Sequence, residues 1–167
     1  VSSALNLSKD NSSAAIIGGG DGGVARELLS KGFDLIDWYE LDPEVVKVCQ
    51  KHLPKIFGEV KANNNVKTYW GDAFESIKKV KDSKYDKVFV DLNDDDFCIN
   101  LAAKNMKGLK RILKPGGVLT AQVGCLSKNP KQVKNWLGVL ENNFGNAELS
   151  EVFIPSFDCR WSFASSL

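Results

Sequence analysis

Acidic side chains stand where the apolar stretches of this chain end: Asp21, Glu40 with Asp42, Asp72 and Asp91. The first of them lies inside the run Gly18-Gly19-Gly20-Asp21-Gly22-Gly23, where Gly18, Gly20 and Gly23 keep the G-x-G-x-x-G spacing. Such a run, between an apolar stretch and a helix-like one, is the backbone turn that lets a ribose or phosphate approach closely. Glu40 follows Gly20 by 20 residues, the offset at which a carboxylate accepts hydrogen bonds from both ribose hydroxyls. Charge-assisted bonds of that kind contribute about 1.5–3 kcal/mol each. Asp72, in Gly71-Asp72-Ala73, has two uses open to it: accepting from an adenine amino group or capping the helix that follows.

The densest acidic feature is Asp91-Leu92-Asn93-Asp94-Asp95-Asp96, with four carboxylates in six residues. So many charges cannot all relax without cations, solvent or raised pKa values. An acidic turn, a divalent-metal site and a pocket for an organic cation such as an amine all fit, the last with one carboxylate acting as base. No second acidic or histidine cluster completes a metal site, so none is expected. His52 is the sole histidine, which argues against a histidine-dependent triad.

Positioning these side chains requires strands alternating with helices. The pattern reads as strands at 14–17, 35–39, 66–70, 85–90 and 118–122, with helices near 24–29, 43–52, 73–80 and 100–113 between them. Asp42 suits the N-cap and Pro43 the first turn of its helix. Lys114-Pro115-Gly116-Gly117 reads as a stop and turn. After a helix near 130–142, strands at 147–154 and 160–164 follow each other without a helix between them. This rhythm predicts an α/β fold: a doubly wound, mostly parallel sheet, Rossmann-like, with an antiparallel C-terminal strand pair. Ligands of such sheets bind beyond the carboxyl ends of the strands, where the acids stand. Residues 1–13 read as a loosely ordered lead-in and 14–167 as a single domain.

Composition is that of an ordinary globular protein. A net charge of +1 gives no electrostatic case for nucleic acid or a membrane surface. No apolar run approaches the roughly 20 residues of a spanning helix. Cys49, Cys98, Cys125 and Cys159 are scattered without a C-x-x-C pair, the pattern of reduced thiols in a cytoplasmic protein.

At the glycine run, Tyr39-Glu40-Leu41-Asp42-Pro43, Gly71-Asp72-Ala73, Val90-Asp91-Leu92-Asn93-Asp94, Lys114-Pro115-Gly116-Gly117 and Ala121-Gln122, the chain resembles the spermidine/spermine synthase family of aminopropyltransferases, on the class I S-adenosylmethionine methyltransferase fold. The resemblance spans about residues 14–165. It implies transfer of an aminopropyl group from decarboxylated S-adenosylmethionine, a co-substrate, to a di- or polyamine, with no prosthetic group. Gly18, Gly20, Gly23 and Ala73 would form the nucleoside site, with Glu40 on the ribose and Asp72 on the adenine. Asp21 would hold the aminopropyl ammonium. Asp91 would be the base and border the nucleoside site, and Asp94 would orient the amine. Gln122 would line the amine pocket, and Phe157 stands where members often carry a substrate-contacting tyrosine. A homodimer is compatible with the resemblance. A methyltransferase on the same fold and a non-catalytic nucleoside-binding homologue are the alternatives; a nicotinamide dehydrogenase is disfavoured.

Departures from the family pattern cluster on the amine side. Asp95 replaces a proline after the D-x-x-D, and Val123-Gly124 replaces an acidic pair after Gln122. The family's N-terminal β-strand domain is not among these residues, so the chain is expected to be a fragment, a trimmed homologue or a member with altered activity. The nucleoside half is expected to be intact and the amine half degraded or retuned.

Overall fold

The computed structural model describes residues 1–167 except Lys9, Glu59 and Asp94, and the backbone alone at Ser3 and Lys61. Strands β1 (Ser13–Gly18), β2 (Leu35–Glu40), β3 (Val66–Trp70), β4 (Tyr85–Asp91), β5 (Leu113–Cys125), β6 (Glu148–Ile154) and β7 (Cys159–Ser166) form one sheet in the order β3-β2-β1-β4-β5-β7-β6. The pairs from β3 across to β5 are parallel, and β7 runs antiparallel to both β5 and β6. Strand order reverses between β1 and β4, so the loops leaving those strands part there and open a crevice.

Each strand alternates its side chains between two helical layers. On one face, Ile16, Ile36 and Trp38 pack against α1 (Ser2–Leu7), α2 (Gly23–Ser30), α3 (Pro43–His52) and α4 (Pro54–Phe57). On the other, Ile17, Val88 and Leu119 pack against α5 (Ala73–Ile77), α6 (Asp96–Ile112) and α7 (Pro130–Phe144). Full burial of each such aliphatic side chain stabilises the fold by about 1.5–3 kcal/mol. Helix starts follow their caps: Asp42 accepts from the Glu44 N–H at 2.8 Å, with Pro43 in the first turn. Among the described residues, no helix is long and apolar enough to cross a membrane.

Buried polar stitches tie the connections down. Asp86 at the start of β4 accepts from the Ser13 hydroxyl at 2.7 Å and from Lys114 at 2.8 Å. Burial pushes its pKa up, but Lys114 and the Ser13 and Ser12 groups outweigh that and hold it well below the usual carboxylate range.

Five expectations need correction. Ser2–Leu7, within the expected loose lead-in, is a helix whose Ala4 is fully buried in the core. The helix expected to end near 80 stops at Ile77, and the one expected from 100 begins at Asp96, because Asp95 caps it through the Cys98 N–H at 2.7 Å. Lys114-Pro115-Gly116-Gly117 is an irregularity near the start of a long β5 rather than a turn ahead of a short strand. Cys125 and Cys159 are joined as a disulfide, not reduced. Antiparallel pairing sets the end of β5 beside the start of β7, bringing the two Cα atoms to 6.4 Å across a separation of 34 residues. Cysteine spacing carries no information about that pairing. Cys49 and Cys98 are free.

Candidate active site

Gly18 ends β1 and lies in register with Asp91, which ends β4, so the turn and the acidic segment meet at the switch point. The Gly19 N–H donates to the Asp91 carbonyl at 2.8 Å, and the Trp38 indole N–H donates to the Gly18 carbonyl at 2.7 Å. Gly18 has φ +83°, and a Cβ there would strike the Asp91 backbone oxygen. At Gly20 a Cβ would stand 2.7 Å from Val45 Cγ1 of α3. Only glycine fits at Gly18, and at Gly20 any side chain would have to displace Val45.

Three carboxylates border this turn. Asp91 Oδ2 lies 3.0 Å from where a Cβ on Gly19 would stand, Glu40 Oε2 3.3 Å from that of Gly20, and Asp21 Oδ1 3.2 Å from that of Gly23. Glu40 is buried, its Oε1 accepting from the Asp42 N–H at 3.0 Å. Asp21 is exposed and accepts from the Gly23 N–H at 2.8 Å, leaving its second oxygen without a described partner. Burial pushes the Asp91 pKa up to about 6, with the Asp21 and Glu40 charges adding to the rise.

Asp72 sits at the end of β3, in the loop beside Glu40, where the Gly71 N–H donates to the Glu40 carbonyl at 2.9 Å. One Asp72 oxygen caps α5, accepting from the Phe74 N–H at 2.7 Å and the Glu75 N–H at 3.3 Å. Its other oxygen makes no described hydrogen bond, so capping and a second role are compatible. Ala73 is the first residue of α5 and is half-buried. Asp94 lies outside the described residues.

Beside Asp91, a cavity of about 60 Å³ is lined by Val24, Phe89, Thr120, Gln122 and Phe163. The Gln122 amide is engaged through both its nitrogen and its oxygen. Its Nε2 donates to the Leu92 carbonyl, and its Oε1 accepts from the Trp161 indole N–H at 2.9 Å. Trp161 in turn packs on Phe157, ring centroids 4.5 Å apart, and Phe157 remains half exposed in the turn between β6 and β7. Gln122 and Phe157 are therefore linked through Trp161, a residue that sequence reasoning missed. Trp38 and Trp161 had no local signal: each sits within a strand, and only strand pairing shows what its indole reaches.

A family model described as the spermine/spermidine synthase domain matches residues 1–166. A polyamine aminopropyltransferase of Prochlorococcus marinus (strain MIT 9215) is 35% identical over 173 residues, covering 98% of this chain and 60% of that protein. One from Korarchaeum cryptofilum (strain OPF8) is 27% identical over 151 residues, covering 89% of this chain and 47% of the relative. Among solved structures, a spermidine synthase in complex with the transition state analogue AdoDATO superposes with a TM-score of 0.87 at 20% identity, over 98% of this chain and 57% of the other. The spermidine synthase of Thermotoga maritima gives 0.86 at 20% identity, over 98% and 56%. The chain thus spans about half to three fifths of the length of the proteins it matches. With the family model matched along almost its whole length, the chain belongs to the spermine/spermidine synthase family.

Proposed function

We propose that this chain carries the catalytic half of an aminopropyltransferase that moves an aminopropyl group from decarboxylated S-adenosylmethionine to a di- or polyamine. The observation that carries this reading is the convergence of Asp21, Glu40 and Asp91 on one glycine turn. Three acids around a glycine turn at the sheet switch point favour a ligand that pairs an adenosyl group with positive charge. A dinucleotide would set phosphates against these carboxylates, at an electrostatic cost.

In this reading Glu40 accepts from the ribose hydroxyls, and the free oxygen of Asp72 accepts from the adenine amino group. Asp21, exposed at the loop, pairs with the aminopropyl ammonium. The acceptor amine enters beside Asp91, against Gln122, Trp161 and Phe157, and Asp94 orients it. The amine nitrogen attacks the methylene carbon next to the sulfonium, the carbon–sulfur bond breaks, and its electron pair leaves on sulfur as a neutral thioether. An alkylammonium has no lone pair, so one proton must first move to a base. Asp91, with a pKa near 6, is ionised at neutral pH and more basic than an ordinary aspartate, which suits it to receive that proton. The remaining acceleration comes from holding nucleophile and electrophile in line.

Calorimetric titration tests the assignment. Methylthioadenosine and decarboxylated S-adenosylmethionine are expected to bind at least tenfold more tightly than S-adenosylmethionine. A preference for S-adenosylmethionine and S-adenosylhomocysteine would instead assign the chain to methyl transfer, and failure of all four would leave neither reading standing.

A further inference from the structure

A cavity of about 670 Å³ opens far from the glycine turn, lined by Tyr39 and Tyr69, by α5 and by Lys79, Lys81 and Lys84. Lys84 sits just ahead of β4 and Asp91 at its far end, seven residues away, or roughly 20 Å at about 3.3 Å per residue. The volume lies within the range of about 300–1,000 Å³ usual for small-molecule sites.

Its chemistry is one-sided. The floor is a stacked tyrosine pair, Tyr39 and Tyr69, with ring centroids 4.9 Å apart and planes at 16°. Tyr39 spends its hydroxyl on Tyr85 at 2.8 Å, and Tyr85 donates to the fully buried Asp37 at 2.6 Å. Lys84 pairs with that same carboxylate at 2.5 Å, so Asp37 is covered from the cavity side. Glu75 is paired with Lys78 at 2.5 Å. Asp37 Oδ1 is buried without a partner and one Glu75 oxygen makes no described hydrogen bond, while the remaining unpartnered groups among the described residues are donors: the ammoniums of Lys79 and Lys81 and the hydroxyls of Tyr69 and Ser76. Lys67 adds a further cation, its Nζ 5.0 Å from the Tyr69 ring centre. A lining of ammoniums and hydroxyls whose carboxylates are already neutralised recognises a ligand made of acceptors.

We propose that this cavity binds a small phosphate-bearing anion, at a site separate from the nucleoside crevice. Lys79 and Lys81 pair with the phosphate oxygens, the Tyr69 and Ser76 hydroxyls donate to them, and Val80 with the lysine stems covers the apolar part. The site stands apart from the transferase reading and does not depend on it.

Calorimetric titration of the chain with inorganic pyrophosphate tests the proposal. One saturable site is expected, weakened at least tenfold in the Lys79→Ala/Lys81→Ala double variant. It should stay within twofold in Lys51→Ala/Lys107→Ala, which removes two exposed lysines from α3 and α6. Saturating methylthioadenosine should leave it unchanged. Absence of saturable binding would overturn the proposal. Equal weakening in both double variants would do so too, by tracing the affinity to diffuse surface charge. Competition by methylthioadenosine would place the anion at the glycine turn and overturn it as well. All four lysines are exposed, so circular dichroism of the variants should match the parent.

Discussion

Asp91 is where burial and chemistry meet. Its carboxyl is held at the sheet switch point beside Gly19, and its pKa is pushed up to about 6 by burial and by the neighbouring acids. Two outcomes follow if it is the base. Transfer rate should fall about tenfold per pH unit as pH drops below 6, because the protonated acid cannot receive the amine proton. Asp91→Asn should lower turnover by about 10²–10⁴-fold while leaving methylthioadenosine affinity within a few-fold. Equal loss of turnover and affinity would remove it from that role. A raised acid pKa also costs stability: the penalty is absent below about pH 4 and complete once pH exceeds the folded value near 6. At pH 8 Asp91→Asn should therefore raise unfolding free energy, by up to about 3 kcal/mol for the two-unit shift, measured by urea denaturation. Glu40 works on the other partner. Glu40→Gln should weaken methylthioadenosine by about 1.5–3 kcal/mol in calorimetry, with turnover at saturating nucleoside much less affected.

The glycine turn acts as an element because two other elements press on it. β4 supplies the Asp91 carbonyl to the Gly19 N–H, and α3 lays Val45 against Gly20. Gly20→Ala should push Val45 and Glu40 outward, lowering methylthioadenosine affinity at least tenfold. Val45→Ala on the same chain should recover part of that loss, and a double-mutant cycle measures the coupling. Additive effects would mean the crowding at Gly20 does not set the geometry of the site. The glycine spacing and the acid at the expected offset were legible in sequence because both are local requirements of backbone conformation. The crowding by Val45 was not, since it depends on where α3 docks.

For the whole molecule, the Cys125–Cys159 disulfide ties the last parallel strand to the antiparallel pair that closes the sheet. By restricting the unfolded chain over 34 residues, it should stabilise the oxidised protein by about 2–4 kcal/mol. Cys125→Ser/Cys159→Ser should then melt at a lower temperature than the oxidised parent, and reductant should lower the parent to the same level without moving the variant. A parent insensitive to reductant would show that the bond contributes nothing. The bond also sits near the Gln122–Trp161 contact, so the variant reports whether that contact needs the tie.

The sequence by itself determined the α/β rhythm, the order of the strands along the chain, the glycine turn and the acids at the ends of the first four strands. All of these rest on local rules: side-chain periodicity, φ accessible only to glycine, capping preference and the short reach between a strand and the helix after it. Tertiary structure alone decided which distant groups meet. Register across β1 and β4 placed Gly18 opposite Asp91, and antiparallel closure brought Trp161 to Gln122 and Cys125 to Cys159. Packing also pulled Ser2–Leu7 into a helix, because burying Ala4 offsets a weak local preference. The Asp91 pKa belongs to this second group, since it is set by burial and by charges carried on two other strand ends.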